Sequence, residues 1–306
     1  MSDLVLSARA EVAQRSFSGG RKYRWLPFWL LLPSLLVLLA LQVYPTLYSI
    51  YLSTTRVRRG EFMHVGLANF ERLLRTPSFL ESLRTSLAYS VTYVLLTVSS
   101  GMMLALLLNR RFKFTGFYLV IIFIPWVISE VVAGTMWRWL FQPTYGLLQS
   151  WINMYMPFLG DRLYTTAGGA LAIVVAAAVW RGLAFTTLLS LGALQTVPQE
   201  IVESASLDGA NRFQRFFHVI LPLIRPTVLV MVLLTSIQSI NSVGLIVSIT
   251  RGGPGGATRT AAYYLLQVGW EQGDFGTGAA ISVILFAINV TLTIAYLSII
   301  GRHRDW

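Results

Sequence analysis

Four stretches of the chain, residues 25–55, 85–109, 226–250 and 275–301, contain no Asp, Glu, Lys or Arg. Each exceeds the roughly 20 residues that an α-helix needs to cross a bilayer. Two further stretches are apolar except at a few points: 114–140 holds Glu130 and Arg138, and 163–199 holds only Arg181. The chain is therefore expected to be an all-α membrane protein with six transmembrane helices, at about 28–54, 84–108, 117–140, 170–194, 223–249 and 276–299. The first apolar run is too long for a signal-peptide core and is not followed by a small-residue cleavage site, so it reads as a retained helix.

Charged residues make up 12% of the 306 residues, about half of the roughly 25% found in soluble domains. So few charges cannot coat a water-soluble surface of this size. An ordinary cytosolic enzyme, a disordered chain and a nucleic-acid-binding domain are excluded on that ground. The net charge of +11 does not alter this, because the basic residues fall in short clusters between apolar runs, as in membrane proteins. With no Cys, disulfides, thiolate metal sites and cysteine nucleophiles are absent. His64, His218 and His303 are too scattered for a metal site, and no catalytic Ser/His/Asp arrangement is evident.

Basic clusters orient the chain. Residues 1–26 carry Arg9, Arg15, Arg21, Lys22 and Arg24, and the short loop 109–116 carries Arg110, Arg111 and Lys113. The positive-inside rule makes both cytoplasmic, and an even number of spans then puts both termini there. The 55–83 loop, which is also rich in Arg, would lie outside; Glu61, Glu71 and Glu81 temper its charge. Within it, residues 66–83 read as a short amphipathic helix and turn. Residues 250–260 (TRGGPGGATRT) cannot hold a helix, and 261–271 read as a short helix leading back into the membrane.

The segment 196–225, TVPQEIVESASLDGANRFQRFFHVILPLIR, is longer and more patterned than most interhelical loops. Pro198 suits a helix start, Glu200 and Glu203 suit its first turns, and Asp208-Gly209 is a turn pair. A second helix carries Phe213, Phe216 and Phe217, and Pro222 and Pro226 mark the return to the membrane. The pattern predicts a helix-turn-helix on the cytoplasmic face. It could rest on lipid as an amphipathic helix or dock a protein, and its sparse basic content favours docking.

Glu203-Ser-Ala205, Asp208-Gly209-Ala210, Phe216, Val219, Leu221-Pro222 and Pro226 resemble the EAA loop of bacterial ABC importer permeases, with Ser204 and Val219 as conservative departures. WRGLAF…LGALQTVPQEIVE (Trp180 to Glu203), TRGGPGG (Thr250 to Gly256), GLANFERLL and YPTLYSIYLS are similar to the maltose and glycerol-3-phosphate type of carbohydrate permease. The resemblance runs from Pro27 onward and corresponds to a six-span version. It implies an importer permease fold over 27–306 with a coupling loop at 196–222, in a bacterial inner membrane. It implies a second homologous permease subunit, two copies of a cytoplasmic ATPase that hold ATP and Mg²⁺, and an extracytoplasmic solute-binding protein or lipoprotein. Glu203, Ala205, Asp208, Gly209, Ala210, Phe213 and Phe216 would engage the ATPase. The chain itself lacks a P-loop: neither Lys22 nor Lys113 is followed by Ser or Thr. It is expected to be no enzyme and to bind no cofactor.

Ionisable residues within spans are candidate functional groups. Glu130 and Arg181 are predicted near mid-membrane, either paired with each other or facing a sugar. Thr235, Gln238, Ser239 and Ser242 fall at i, i+3, i+4 and i+7, a polar stripe flanked by Asn241; it could line a cavity for a neutral polyol or pack helices. The family resemblance adds Ala178, Gly182 and Phe185, the last as an aromatic that could stack on a sugar. Trp126, Trp137, Trp139 and Trp151 read as interface anchors. The expected cargo is a disaccharide or oligosaccharide. Glycerol-3-phosphate, whose phosphate would suit Arg181, is the alternative, and a secondary transporter with Glu130 as proton carrier is a more distant one.

Overall fold

The computed structural model describes residues 26–58, 61–109, 114–160 and 162–301. The expectations for the basic N-terminal segment, for Arg110, Arg111 and Lys113, and for His303 fall outside the described residues. The chain divides into two compact units, residues 1–51 and 52–306.

In the first unit, α1 (Leu26–Leu38) passes through a π-turn (Leu39–Val43) into α2 (Tyr44–Ser53). The π-turn lies directly upstream of Pro45, whose missing N–H leaves a carbonyl one turn back without its α-helical partner. Widening the turn is one of the few ways an apolar helix absorbs that defect.

The second unit opens with a β-hairpin, β1 (Thr55–Arg58) and β2 (Glu61–His64), paired antiparallel with Thr55 opposite His64 and Arg56 opposite Met63. Sequence reading had not anticipated it. Helix α3 (Ala68–Arg75) is the expected amphipathic helix. Only Thr76 separates it from α4 (Pro77–Leu108), which starts well before residue 84 because Pro77 supplies a favourable first helical position.

The third predicted span is not one straight helix. It is α5 (Thr115–Val127) and α6 (Glu130–Leu140), bent by 97° at Ile128–Ser129. Ser129 is extended and caps α6, its Oγ accepting the Val132 N–H at 3.4 Å. Short helices α7 (Leu147–Tyr155), α8 (Pro157–Gly160) and α9 (Arg162–Thr165) lead to α10 (Ala167–Gln195), the predicted fourth span.

After α11 (Gln199–Leu207) the chain turns into α12 (Arg212–Arg215), a π-turn (Phe216–Ile220) and α13 (Leu221–Asn241). Two corrections arise here. The second arm of the predicted helix-turn-helix is not separate from the span: Arg212–Asn241 is continuous, and the π-turn again precedes a proline, Pro222. The fifth span also ends at Asn241, not 249. Ser242 is extended, and residues 244–249 form their own helix, α14 (Gly244–Ile249). The Gly/Pro-rich loop follows as expected, then α15 (Ala261–Leu266), a π-turn (Gln267–Glu271) and α16 (Phe275–Gly301). Among the described residues, five helices are long and apolar enough to cross a membrane, and the bent pair makes a sixth.

Helices α4 and α10 form the spine of the second unit. Lipid supplies no hydrophobic push between helices, so close backbone approach through small residues carries the packing. On α10, Ala170, Ala177, Ala178, Ala184, Thr186, Thr187 and Ser190 are buried. The Thr186 hydroxyl donates to the Thr97 carbonyl across the seam at 3.0 Å. A Cβ placed on Gly101 would collide with Thr186, at 2.6 Å from its Cβ. At one end, Met102, Ala105, Leu191, Leu194, Ile224 and Met231 form a core beneath the 196–222 segment. At the other, Leu73, Phe79, Ala261, Val268 and Ile281 join α3, α4, α15 and α16. There Arg72 bonds Asp274 at 2.8 Å and also Thr277. Burial would push the Asp274 carboxyl up, but hydrogen bonds from the Thr277 hydroxyl and N–H and from Arg72 outweigh it and hold the group below the usual aspartate range.

Two outcomes are expected. Gly101→Ala should destabilise the protein by about 1–3 kcal/mol, a lower melting temperature in detergent, because the seam is overpacked. Gly192→Ala, on α10 with nothing within 4 Å of the new methyl, should leave melting unchanged. Because Asp274 is depressed in the folded state, its contribution is present above the ordinary aspartate range and lost as pH falls through the folded value. The melting-temperature gap between wild type and Asp274→Asn should therefore close on acidification.

Candidate functional site

The two helix breaks lie side by side, and their open backbone groups are closed by charged side chains. The break between α5 and α6 leaves the Ile128 carbonyl without a helical partner. Arg181, from the middle of α10, donates to it from Nε at 3.2 Å and from Nη2 at 3.0 Å. The break after α13 opens the first N–H of α14, and Glu130 Oε2 accepts the Gly244 N–H at 3.1 Å and the Ser242 hydroxyl at 3.3 Å. The other carboxylate oxygen takes Arg181 Nη1 at 3.3 Å. Glu130 thus sits at the N-terminus of its own helix and at that of α14, where the aligned peptide dipoles favour a negative charge. Gly244 permits the approach: a Cβ there would lie 2.6 Å from Glu130 Cβ.

These residues wall a cavity of about 370 Å³. Glu130, Arg181, Gly182, Gln238, Ser239, Asn241 and Ser242, all predicted from sequence, line it. So do Ala178 and four residues that sequence reading had not placed there: Tyr89, Tyr93, Trp126 and Leu245. The tyrosine pair, stacked with centroids 6.0 Å apart, had a legible signal, since Tyr89 and Tyr93 recur one turn apart on an apolar span. Gly182 keeps room for them, as a Cβ there would fall 2.6 Å from the Tyr93 hydroxyl. Trp126, which reads as an interface anchor, lies on the cavity wall and is 46% exposed. Trp137 is not an interface anchor: it packs in the core against Trp180 and Phe141.

Two other predicted residues fall outside the lining. Thr235 is fully buried, its hydroxyl bonded back to the Met231 carbonyl at 2.8 Å; Phe185 is half-buried on α10. The stripe itself is interrupted, because the helix ends at Asn241 and Ser242 lies beyond it. Ser239 is nearly buried, with Oγ 2.8 Å from Ser90 Oγ on α4. Helix packing therefore claims part of the stripe and the cavity the rest.

The second candidate surface is the elbow at 196–222. Helix α11 closes with a Schellman arrangement: the Gly209 N–H reaches the Ser206 carbonyl and the Ala210 N–H the Ala205 carbonyl, with Gly209 at φ +81°. Asn211 and Gln214 then form a reciprocal capping box, at 2.9 and 2.8 Å. Arg215 donates to Ser206 Oγ at 2.7 Å and fixes the angle between the two arms. Glu203 and Asp208 are exposed, Ala205 and Ala210 half-exposed, and Glu203 accepts from Gln199 at 2.7 Å. Phe216 packs on the core below, whereas Phe213 and Phe217 are exposed. Leu207, which sequence reading passed over, is 89% exposed.

A family model described as "Binding-protein-dependent transport system inner membrane component" matches residues 84–304. The chain belongs to that family. It is a multi-pass inner membrane protein and the permease component of an ABC transporter; nucleotide is bound by the partner ATPase. The trehalose/maltose transport system permease protein of Thermococcus litoralis is 33% identical over 92% of this chain and 96% of its own length. The arabinooligosaccharides transport system permease protein of Halalkalibacterium halodurans is 32% identical over 98% and 95%. The sn-glycerol-3-phosphate transport system permease protein of Agrobacterium fabrum is 32% identical over 88% and 92%. Among solved structures, a bacterial ABC transporter involved in the import of the acidic polysaccharide alginate matches with a TM-score of 0.77 at 19% identity. That match covers 95% of this chain and 100% of the other, and it establishes a shared fold.

Proposed function

We propose that this permease imports a carbohydrate, with the cavity at the two helix breaks as its cargo contact and the 196–222 elbow as the surface gripped by an ATPase. The observation that carries the coupling role is the elbow's construction. A Schellman close, a capping box and the Arg215–Ser206 bond stiffen a turn that holds Glu203 and Asp208 with Leu207, Phe213 and Phe217 in the open. A stiff elbow seated on the α4–α10–α13 core can pass a push into the spans, which a lipid-resting helix need not do. Two ATPase subunits, a second permease subunit and a solute-binding protein complete the complex in this reading. Residues 1–26, both termini and the elbow lie in the cytoplasm of a bacterial cell, and 27–306 form the six-span domain.

The carbohydrate reading draws on the relatives' cargoes and on the chemistry of the wall. Gln238, Asn241, Ser242 and Tyr93 offer amide and hydroxyl groups that can exchange hydrogen bonds with a polyol, and Trp126 offers an apolar ring face. Glu203, Ala205, Asp208, Gly209, Ala210, Phe213 and Phe216 serve the ATPase contact, with Phe216 as the foot of the elbow. The secondary-transporter reading has no use for such an elbow.

Glu203→Ala combined with Gly209→Pro should abolish co-purification of the ATPase while the variant still inserts in the membrane. Unchanged co-purification together with unchanged uptake would remove the docking role. Gln238→Ala and Asn241→Ala should each raise KM for uptake a few-fold to about tenfold at nearly constant kcat, the loss of one neutral hydrogen bond of about 0.5–1.5 kcal/mol. Unchanged kinetics in both would displace the cargo contact from this cavity.

A further inference from the structure

Arg181 and Glu130 are the two charged residues among those lining the cavity, and each is engaged by the protein itself. A guanidinium grips a phosphate or carboxylate through one of two forks, either Nε with a terminal nitrogen or the two terminal nitrogens together. In Arg181 the first fork, Nε and Nη2, is closed on the Ile128 carbonyl. The second is interrupted at Nη1, which is turned to Glu130. All three guanidinium nitrogens are thus engaged by the protein itself. The Glu130 carboxylate is held in turn by Gly244 N–H, the Ser242 hydroxyl and Arg181. Its side chain is 36% exposed and that of Arg181 only 18%, so an entering solute meets the carboxylate more readily than the cation. A phosphomonoester, carrying roughly −1.5 to −2 charges at neutral pH, would meet repulsion where an unpaired Arg181 would have bound it.

We propose that Glu130 is the specificity-determining residue of this cavity. By cancelling and holding Arg181 it makes the wall electrically neutral, so that the cavity accepts an uncharged polyhydroxylated solute and refuses a phosphorylated one. The inference rests on reading the cavity as the cargo contact, and it decides between the two cargo classes found among the relatives. Arg181 and Glu130 then act on cargo indirectly. Their charges serve the backbone groups opened by the two helix breaks, and the neutral side chains Gln238, Asn241 and Ser242 make the contacts.

The test uses the complete detergent-solubilised complex without its solute-binding protein, with radiolabelled sn-glycerol-3-phosphate as the anionic probe and maltose and trehalose as neutral probes. Wild type should show no saturable binding of the anion, and a large molar excess of it should not displace a bound neutral sugar. Glu130→Gln keeps an acceptor for the Gly244 N–H but releases Arg181; it should bind the anion at least about tenfold tighter than wild type. Adding Arg181→Gln to that variant should return anion binding to the wild-type level, which loss of packing alone would not do. The inference is overturned if wild type binds the anion as tightly as Glu130→Gln does, or if the assembled Glu130→Gln complex gains no anion binding. Should that variant fail to assemble, the wild-type competition decides by itself: displacement of the neutral sugar overturns the proposal, and its absence supports it. The cavity reading fails separately, through unchanged kinetics in Gln238→Ala and Asn241→Ala.

Discussion

A peptide carbonyl or N–H left open in an apolar interior has no water to turn to, and each one costs several kcal/mol unless the protein answers it. The centre of this molecule is organised by two such defects. The bend at Ile128–Ser129 opens a carbonyl, and the end of α13 at Asn241–Ser242 opens the first N–H of α14. Arg181 answers the first and Glu130 the second, and the two side chains answer each other. Removing either partner leaves the other as an uncompensated charge in a low-dielectric setting, where unpaired charges are far more expensive than paired ones. The breaks, the ion pair and the cavity are therefore one construction.

The rest of the second unit holds that construction in place. Small side chains on α10 let it lie against α4 closely enough for Thr186 to reach a carbonyl across the seam, and Arg181, Gly182 and Ala178 occupy the same helix. The core under the elbow is built from the far ends of these two helices and from α13. Force applied at Glu203 or Phe213 has a packed route to the helix whose end forms the cavity wall. Because α12, the π-turn and α13 run on without a break, that route includes one continuous helix.

Legibility followed chemistry that depends on short range. Long uncharged runs located the spans, since hydrocarbon excludes charge wherever a helix crosses it. The turn at Asp208-Gly209 was visible because few residues other than Gly tolerate a positive φ. Glu130 and Arg181 stood out as charges inside spans. By contrast, the bend at Ile128–Ser129 left no mark, and 117–140 read as one span. The stripe on α13 looked continuous because periodicity says nothing about where a helix stops. Pro222 suggested a break where a π-turn lets the helix run on. Trp126 carries no charge and blends into apolar sequence, so its place at the cavity was not evident, whereas Tyr89 and Tyr93 left a signal in their one-turn spacing.

What the sequence by itself determined is the solvent of each segment and the presence of the elbow, because bilayer thickness and turn stereochemistry act on residues near one another in the chain. Whether Glu130 and Arg181 would face a solute or each other was decided only by the tertiary structure. They lie 51 positions apart, and the groups that hold them, the Ile128 carbonyl and the Gly244 N–H, become available only where two separate helices break beside one another. A backbone group opened in this way is not a residue type, so no reading of side chains along the chain could have found it.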